Sequence, residues 1–218
     1  MKSTKIIPQI AIASAVLSLL SILSLHFLSA ELDPTWHMVS EYAYGQHGWM
    51  LSIFFFCWAV SYWFTSFTLL SLPGKWIYKL GVFLIFISGV GALMGALYDV
   101  RQPLHGLAFA IGVPFVPFVA PFITRHLQKK FKLTDCYASY LSHATWISFI
   151  LMAGTMMSFI SQMQKVGALN MDKPQLLTSL PEGVTSIIGI SNRSLVFAYI
   201  AWLIAINLMV MRLRKKGK

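Results

Sequence analysis

The stretch LGVFLIFISGVGALMGALY, residues 80–98, runs for nineteen positions without an aspartate, glutamate, lysine or arginine. As a helix rising 1.5 Å per residue it is roughly 29 Å long, close to the ~30 Å hydrocarbon thickness of a bilayer. Five more stretches free of these charges flank it, at 6–30, 42–74, 106–124, 136–164 and 194–211. A charge at the centre of a span costs about 2.5–3.5 kcal/mol on insertion scales, which accounts for the vacancies. Inside lipid the backbone must satisfy its own hydrogen bonds, so such stretches are read as helices. The sequence therefore predicts an all-α integral membrane bundle of six transmembrane helices. They form a single transmembrane domain over 1–218, with spans near 7–29, 49–71, 77–98, 104–124, 142–162 and 190–211.

Composition agrees. The chain is 57% hydrophobic and 11% charged, against roughly 25% charged for a soluble domain. The net charge of +10 would suggest a nucleic-acid partner in a soluble protein. Here the basic residues occupy short loops and chain ends, as in a protein oriented in a bilayer, and no nucleic-acid partner is expected. The first apolar stretch is longer than the ~7–15 residues of a signal-peptide core, and Leu28 suits a cleavage site after Ala30 poorly, so it reads as a retained helix. With the N-terminus inside, 13 of the 17 lysines and arginines fall on the inner side. Arg101, Lys165, Lys173 and Arg193 fall outside, with every acid except Asp135. This predicts both termini in the cytoplasm and a plasma-membrane (bacterial inner membrane) location. Cys57 and Cys136 are expected near opposite faces, and no disulfide between them is foreseen.

Within the spans, Gly91 and Gly95 form a small-xxx-small pair suited to close approach of another backbone. Pro114, Pro117 and Pro121 should kink or unwind the fourth span. The aromatics of the second span, from Trp49 to Phe67, read as interfacial, lipid-facing and packing residues.

Candidate chemistry lies in the outer loops. In the 31–48 loop, Asp33-Pro34 reads as the start of a short interfacial helix and Gly45 as its stop. That helix would align His37, Ser40, Glu41 and Tyr44 on one face. Between the third and fourth spans lie Asp99, Arg101 and His105. Asp99 follows a helix C-terminus, where an acid is disfavoured, so it asks for a cation: Arg101, Arg193 or a metal. Three readings compete for this cluster. A metal held by His37, Glu41, Asp99 and His105 would activate water for hydrolysis, with Ser40 as a polar partner. A pocket bearing Asp99, Arg101 and Arg193 would bind a polar small molecule or a lipid headgroup. A structural network would tie the outer helix to the bundle. The 163–189 loop is long enough to form a lid over this face. The fourth-span prolines also admit a permease.

Asp33-Pro34 with Ser40-Glu41 and Gly45, Asp99 with His105-Gly106, and Asn192-Arg193 together make the chain resemble a known family. It is a prokaryotic family of six-helix membrane proteins catalogued as domain of unknown function nine-nine-eight. The resemblance implies a six-helix bundle and brings no activity. Members often carry an acid where this chain has Asn192. The reading it leaves is a membrane protein whose outward-facing polar pocket, with the bilayer as its partner, binds a polar ligand or lipid headgroup.

Overall fold

The computed structural model describes residues 3–133, 136–168 and 176–216. Lys2, Asp135, Asp172, Lys173 and Lys218, which entered the orientation argument, lie outside the described residues, as does the middle of the expected lid. All regular structure among the described residues is helical. Helix α1 is Ser3–Leu28, α2 Trp49–Leu70, α3 Trp76–Leu97, α4 His105–Gly112, α5 Val116–Phe131, α6 Cys136–Lys165 and α7 Ile188–Lys216. A 3-10 helix, Val39–Tyr44, lies between α1 and α2. Six helices are long and apolar enough to cross a membrane, α4 and α5 together making one of them, His105–Phe131. The protein is an all-helical, multi-pass membrane protein.

The helices pack in sequence order, α1 on α2, α2 on α3, α3 on α4 and α5, α5 on α6, and α6 on α7. Helix α7 closes the ring on α1 and also reaches inward to α2 and α5. Its inner face, Tyr199, Ile200, Trp202, Leu203 and Ile206, is wholly buried. Polar ties pin it at depth. Trp202 Nε1 donates to Thr124 Oγ1 at 3.0 Å, and Asn207 Nδ2 donates to Thr65 Oγ1 at 2.7 Å. Because six spans bring both termini to one end, the 29–48 segment and the α3–α4 turn share the other, called here the distal end.

The fourth span breaks at 113–115, between α4 and α5. Pro117 has no N–H to offer the carbonyl four residues earlier, which is that of Val113. Tyr199 supplies the missing donor, its hydroxyl lying 3.1 Å from Val113 O. The glycine pair of α3 works as the spacing predicts at Gly91. A Cβ there would stand 2.2 Å from Gly112 N, so the α3 and α4 backbones touch. Gly95 instead faces the ring of Phe55.

Candidate functional site

The distal end is organised around Arg193, in the first turns of α7. Its side chain is buried, with 7% exposure. Nε donates to His26 Nε2 at 2.7 Å. Nη1 donates to Pro34 O at 3.0 Å, His37 O at 2.6 Å and Gly189 O at 3.0 Å. Nη2 donates to Tyr42 Oη at 2.9 Å, and the guanidinium also sits over the Tyr42 ring. His26 can accept because its Nδ1–H is directed at Ile22 O, 2.6 Å away. Two further bonds fasten the same loop to α7, Ile190 N to Thr35 O at 3.1 Å and Val39 N to Asn192 Oδ1 at 2.8 Å. The contact is backbone on backbone, since a Cβ on Gly189 would lie 2.4 Å from Pro34 O.

This anchoring explains why the 33–45 segment is not the regular helix its sequence predicts. An α-helix would pair Pro34 O with Met38 N, and His37 O with Glu41 N. Arg193 takes both carbonyls. Met38 N turns to the Glu41 carboxylate at 2.6 Å, and Glu41 N to Met38 O at 3.1 Å. What remains is a turn begun by Asp33, whose Oδ1 accepts from Thr35 N at 2.8 Å, followed by the 3-10 helix. That hydrogen bond also lowers the Asp33 pKa below its ordinary value. Burial raises that of Glu41, against the opposing hydrogen bond from Met38 N. His37 is buried against Trp36 and places its ring nitrogens 3.2 Å from Asp33 O and 3.0 Å from Leu177 O. His37 and Glu41 therefore serve different backbone partners and do not share a ligand.

The α3–α4 turn is a separate unit. Asp99 pairs with Arg101, the one salt bridge among the described residues, and accepts from Arg101 N at 2.9 Å. The Arg101 hydrogen bond holds the Asp99 carboxyl below its usual pKa. Arg101 thus supplies the cation that Asp99 was expected to need, and Arg193 does not. His105 lies in the first turn of α4 with Nδ1 2.9 Å from Tyr98 O. A carbonyl only accepts, so Nδ1 carries the hydrogen and Nε2 of the neutral ring is an acceptor.

Among the described residues, no three histidine, cysteine, aspartate or glutamate side chains converge as metal ligands. Of the four metal candidates, His37 and Glu41 are held by the loop, Asp99 by Arg101 and His105 by Tyr98 O. Of the seven cluster residues, the structure gathers Arg193 with the backbone of His37, and Asp99 with Arg101.

Ser40 and His105 are brought together in another way, on the wall of a cavity of about 280 Å³ at the distal end. Phe54, Phe55, Trp58 and Tyr62 of α2 form one side of it. Gly91 and Gly95 of α3, the inner face of α4, Met152 and Met156 of α6, and Leu195 and Val196 of α7 complete the apolar wall. Ser40, His105 and Asn192 are its polar residues besides the aromatic heteroatoms. His37, Glu41, Asp99, Arg101 and Arg193 do not line it. The sequence reads the α2 aromatics as interfacial, lipid-facing and packing residues, not as a cavity wall. Their spacing at 54, 58 and 62 marks one helical face, but a core stripe has the same spacing. Asn192 and His26 carried no decisive signal either.

Six membrane-crossing helices around a largely apolar cavity define an integral membrane protein. The model of the family described as "Protein of unknown function (DUF998)" matches residues 12–209, and the chain belongs to that family. No curated protein and no solved structure matches the chain.

Proposed function

We propose that the protein takes one amphiphilic molecule from the bilayer into the distal cavity. Its apolar part would lie on the α2 aromatics and its polar group at Ser40, His105 and Asn192. The lining carries this reading. It is almost wholly apolar, and its few polar groups retain hydrogen-bonding capacity. Among the described residues, Ser40 Oγ has no hydrogen-bond partner, Asn192 commits only its Oδ1, and His105 only its Nδ1. Among the described residues no charged side chain lines the cavity, so a neutral polar group suits it better than an anion. The volume falls just below the ~300–1,000 Å³ of ordinary small-molecule sites.

A lipid could enter from the side. Helix α4 packs on α3 and not closely on α6 or α7, so α4 and α6 face each other across the cavity. The proline break, which suggested a permease, serves in this reading to hold α4 away from α6. A fill-in variant tests the proposal. Lipid extracted from protein purified in mild detergent should approach one molecule per chain by mass spectrometry. Ala108→Phe, which fills the cavity, should lower that yield about tenfold with the thermal midpoint retained. Wild-type protein carrying no stoichiometric lipid would dispose of the idea.

The charge distribution further supports a plasma-membrane protein with cytoplasmic termini and the distal end outside. Exposed Cys136 then lies on the cytoplasmic side. In intact cells it should resist a membrane-impermeant maleimide and react after permeabilisation. Labelling of intact cells at Cys136 would reverse the orientation.

A further inference from the structure

The Arg193 anchorage contains one acceptor that a proton can remove. Four of its partners, Pro34 O, His37 O, Gly189 O and Tyr42 Oη, keep their lone pairs at any ordinary pH. The fifth is the His26 ring, which takes the Arg193 Nε–H on Nε2 at 2.7 Å while Nδ1 lies 2.6 Å from Ile22 O. That carbonyl only accepts, so Nδ1 holds the hydrogen of the neutral ring and Nε2 its lone pair. An imidazolium carries a hydrogen on both nitrogens and has no lone pair to offer. Protonation of His26 therefore breaks the bond to Arg193 and turns the N–H of one cation on the N–H of another. A ring flip gives no relief, because neither nitrogen then accepts.

His26 is half-buried in the last turn of α1, so its ring is open to a proton from the distal end. The groups around it are few. Helix α7 contributes Arg193, the charged group that acts on the ring directly. The 3-10 helix contributes Tyr42, whose ring meets the imidazole edge-on at 5.7 Å. From the loop, Glu41 and Asp33 act on Arg193. Ahead of α2, His47 is directed at Leu28 O, and Glu31 lies beside Gly45. Among the described residues no carboxylate pairs with His26, so a positive charge there would stand against Arg193 uncompensated. The segment that Arg193 holds includes Met38, Val39 and Ser40, which line the cavity.

We infer that this clasp is acid-labile: protonation of His26 drives off Arg193 and loosens the 33–44 segment at the mouth of the cavity. The clasp is complete while His26 is neutral and is lost as pH falls through its protonation. Glu41 is the other titratable group at work in the segment, because its carboxylate accepts from Met38 N at 2.6 Å. The experiment separates the two, and its readout stands whether or not the cavity holds a lipid.

Hydrogen exchange of the 33–44 segment is followed by mass spectrometry in detergent from about pH 8 to about pH 4.5, the range that brackets an imidazole, with exchange times scaled for the intrinsic pH dependence. Wild type is compared with His26→Gln and Glu41→Gln. A glutamine at 26 places an amide oxygen near the position of Nε2 and takes up no proton in this range. Protection in wild type should fall roughly tenfold on acidification, as expected for one charge-assisted hydrogen bond, and return when the pH is restored. The buried stretch of α7 around Trp202 should keep its protection throughout. His26→Gln should stay protected at every pH, and Glu41→Gln should respond as wild type does. Full protection of wild type over the whole range, or a parallel loss in His26→Gln, overturns the inference. A response abolished by Glu41→Gln and kept in His26→Gln also overturns it, and assigns the acid sensitivity to that carboxylate. If His26→Gln does not fold, the ¹⁵N resonances of the His26 ring in wild type decide. They must pass from neutral to imidazolium over the same pH interval in which protection is lost, and a different interval overturns the inference.

Discussion

Arg193→Ala is expected to lower stability by about 3 kcal/mol or more and to release the 33–44 segment from α7. The substitution strips donors from Pro34 O, His37 O, Gly189 O, Tyr42 Oη and His26 Nε2 together. Each buried polar atom left unpaired costs roughly 1–3 kcal/mol, and water reaching the opened loop recovers part of the total. Arg193→Lys should rescue little, because one ammonium cannot reach acceptors spread along the whole edge of a guanidinium. Thermal unfolding in detergent reads the first effect. Cleavage by a glutamyl endopeptidase at Glu31 and Glu41 reads the second, and should accelerate in both variants. An unchanged midpoint with unchanged cleavage would show that the loop is held by something other than this arginine. Since Met38, Val39 and Ser40 line the cavity mouth, release of the loop should also deplete bound lipid.

Gly91→Val should be the next most damaging change. The first added carbon alone would stand 2.2 Å from Gly112 N, 2.4 Å from Gly112 Cα and 2.8 Å from Ala108 O. These are backbone atoms with no rotamer to yield, so the helices must separate. Overpacking of this kind costs typically 1–3 kcal/mol. Helix α4 can give way because its outward side, at Leu107, is exposed and not packed on a neighbour. The substitution should therefore push α4 off α3 and distort the cavity, which Gly91, Ala108 and Gly112 all line. Extracted lipid should fall further than the modest drop in thermal midpoint would suggest, whereas a midpoint loss with lipid occupancy unchanged would contradict this account of α4.

The membrane spans were legible because the bilayer imposes one strong rule, the exclusion of charge over about twenty residues. The kinked fourth span and the Gly91 contact were legible for similarly local reasons, a missing N–H and a missing side chain. The distal site was less so. The regular outer helix expected from Asp33 and Gly45 gave way because Arg193, far along the chain, takes two of its carbonyls. Asp99 found its cation two residues away. Ser40 and His105 both reach the cavity, but the Phe54, Trp58 and Tyr62 face that gives it an aromatic wall reads like any core stripe. Whether such a stripe meets a neighbour or a space depends on where α4 stands, which no local pattern encodes.

The Arg193 anchorage also sets an order on how the protein is made. Its acceptors Pro34 and Tyr42 precede it by 159 and 151 positions. At synthesis rates of about 5–20 residues per second, the loop leaves the ribosome roughly 8–30 s before the arginine that will hold it. Until the last helix inserts, the early spans can assemble in pairs, but the distal loop has no clasp. Completion of the chain is thus the event that fastens its beginning, and a polypeptide stopped short of α7 would keep an unfastened loop for the cell's membrane proteases to find.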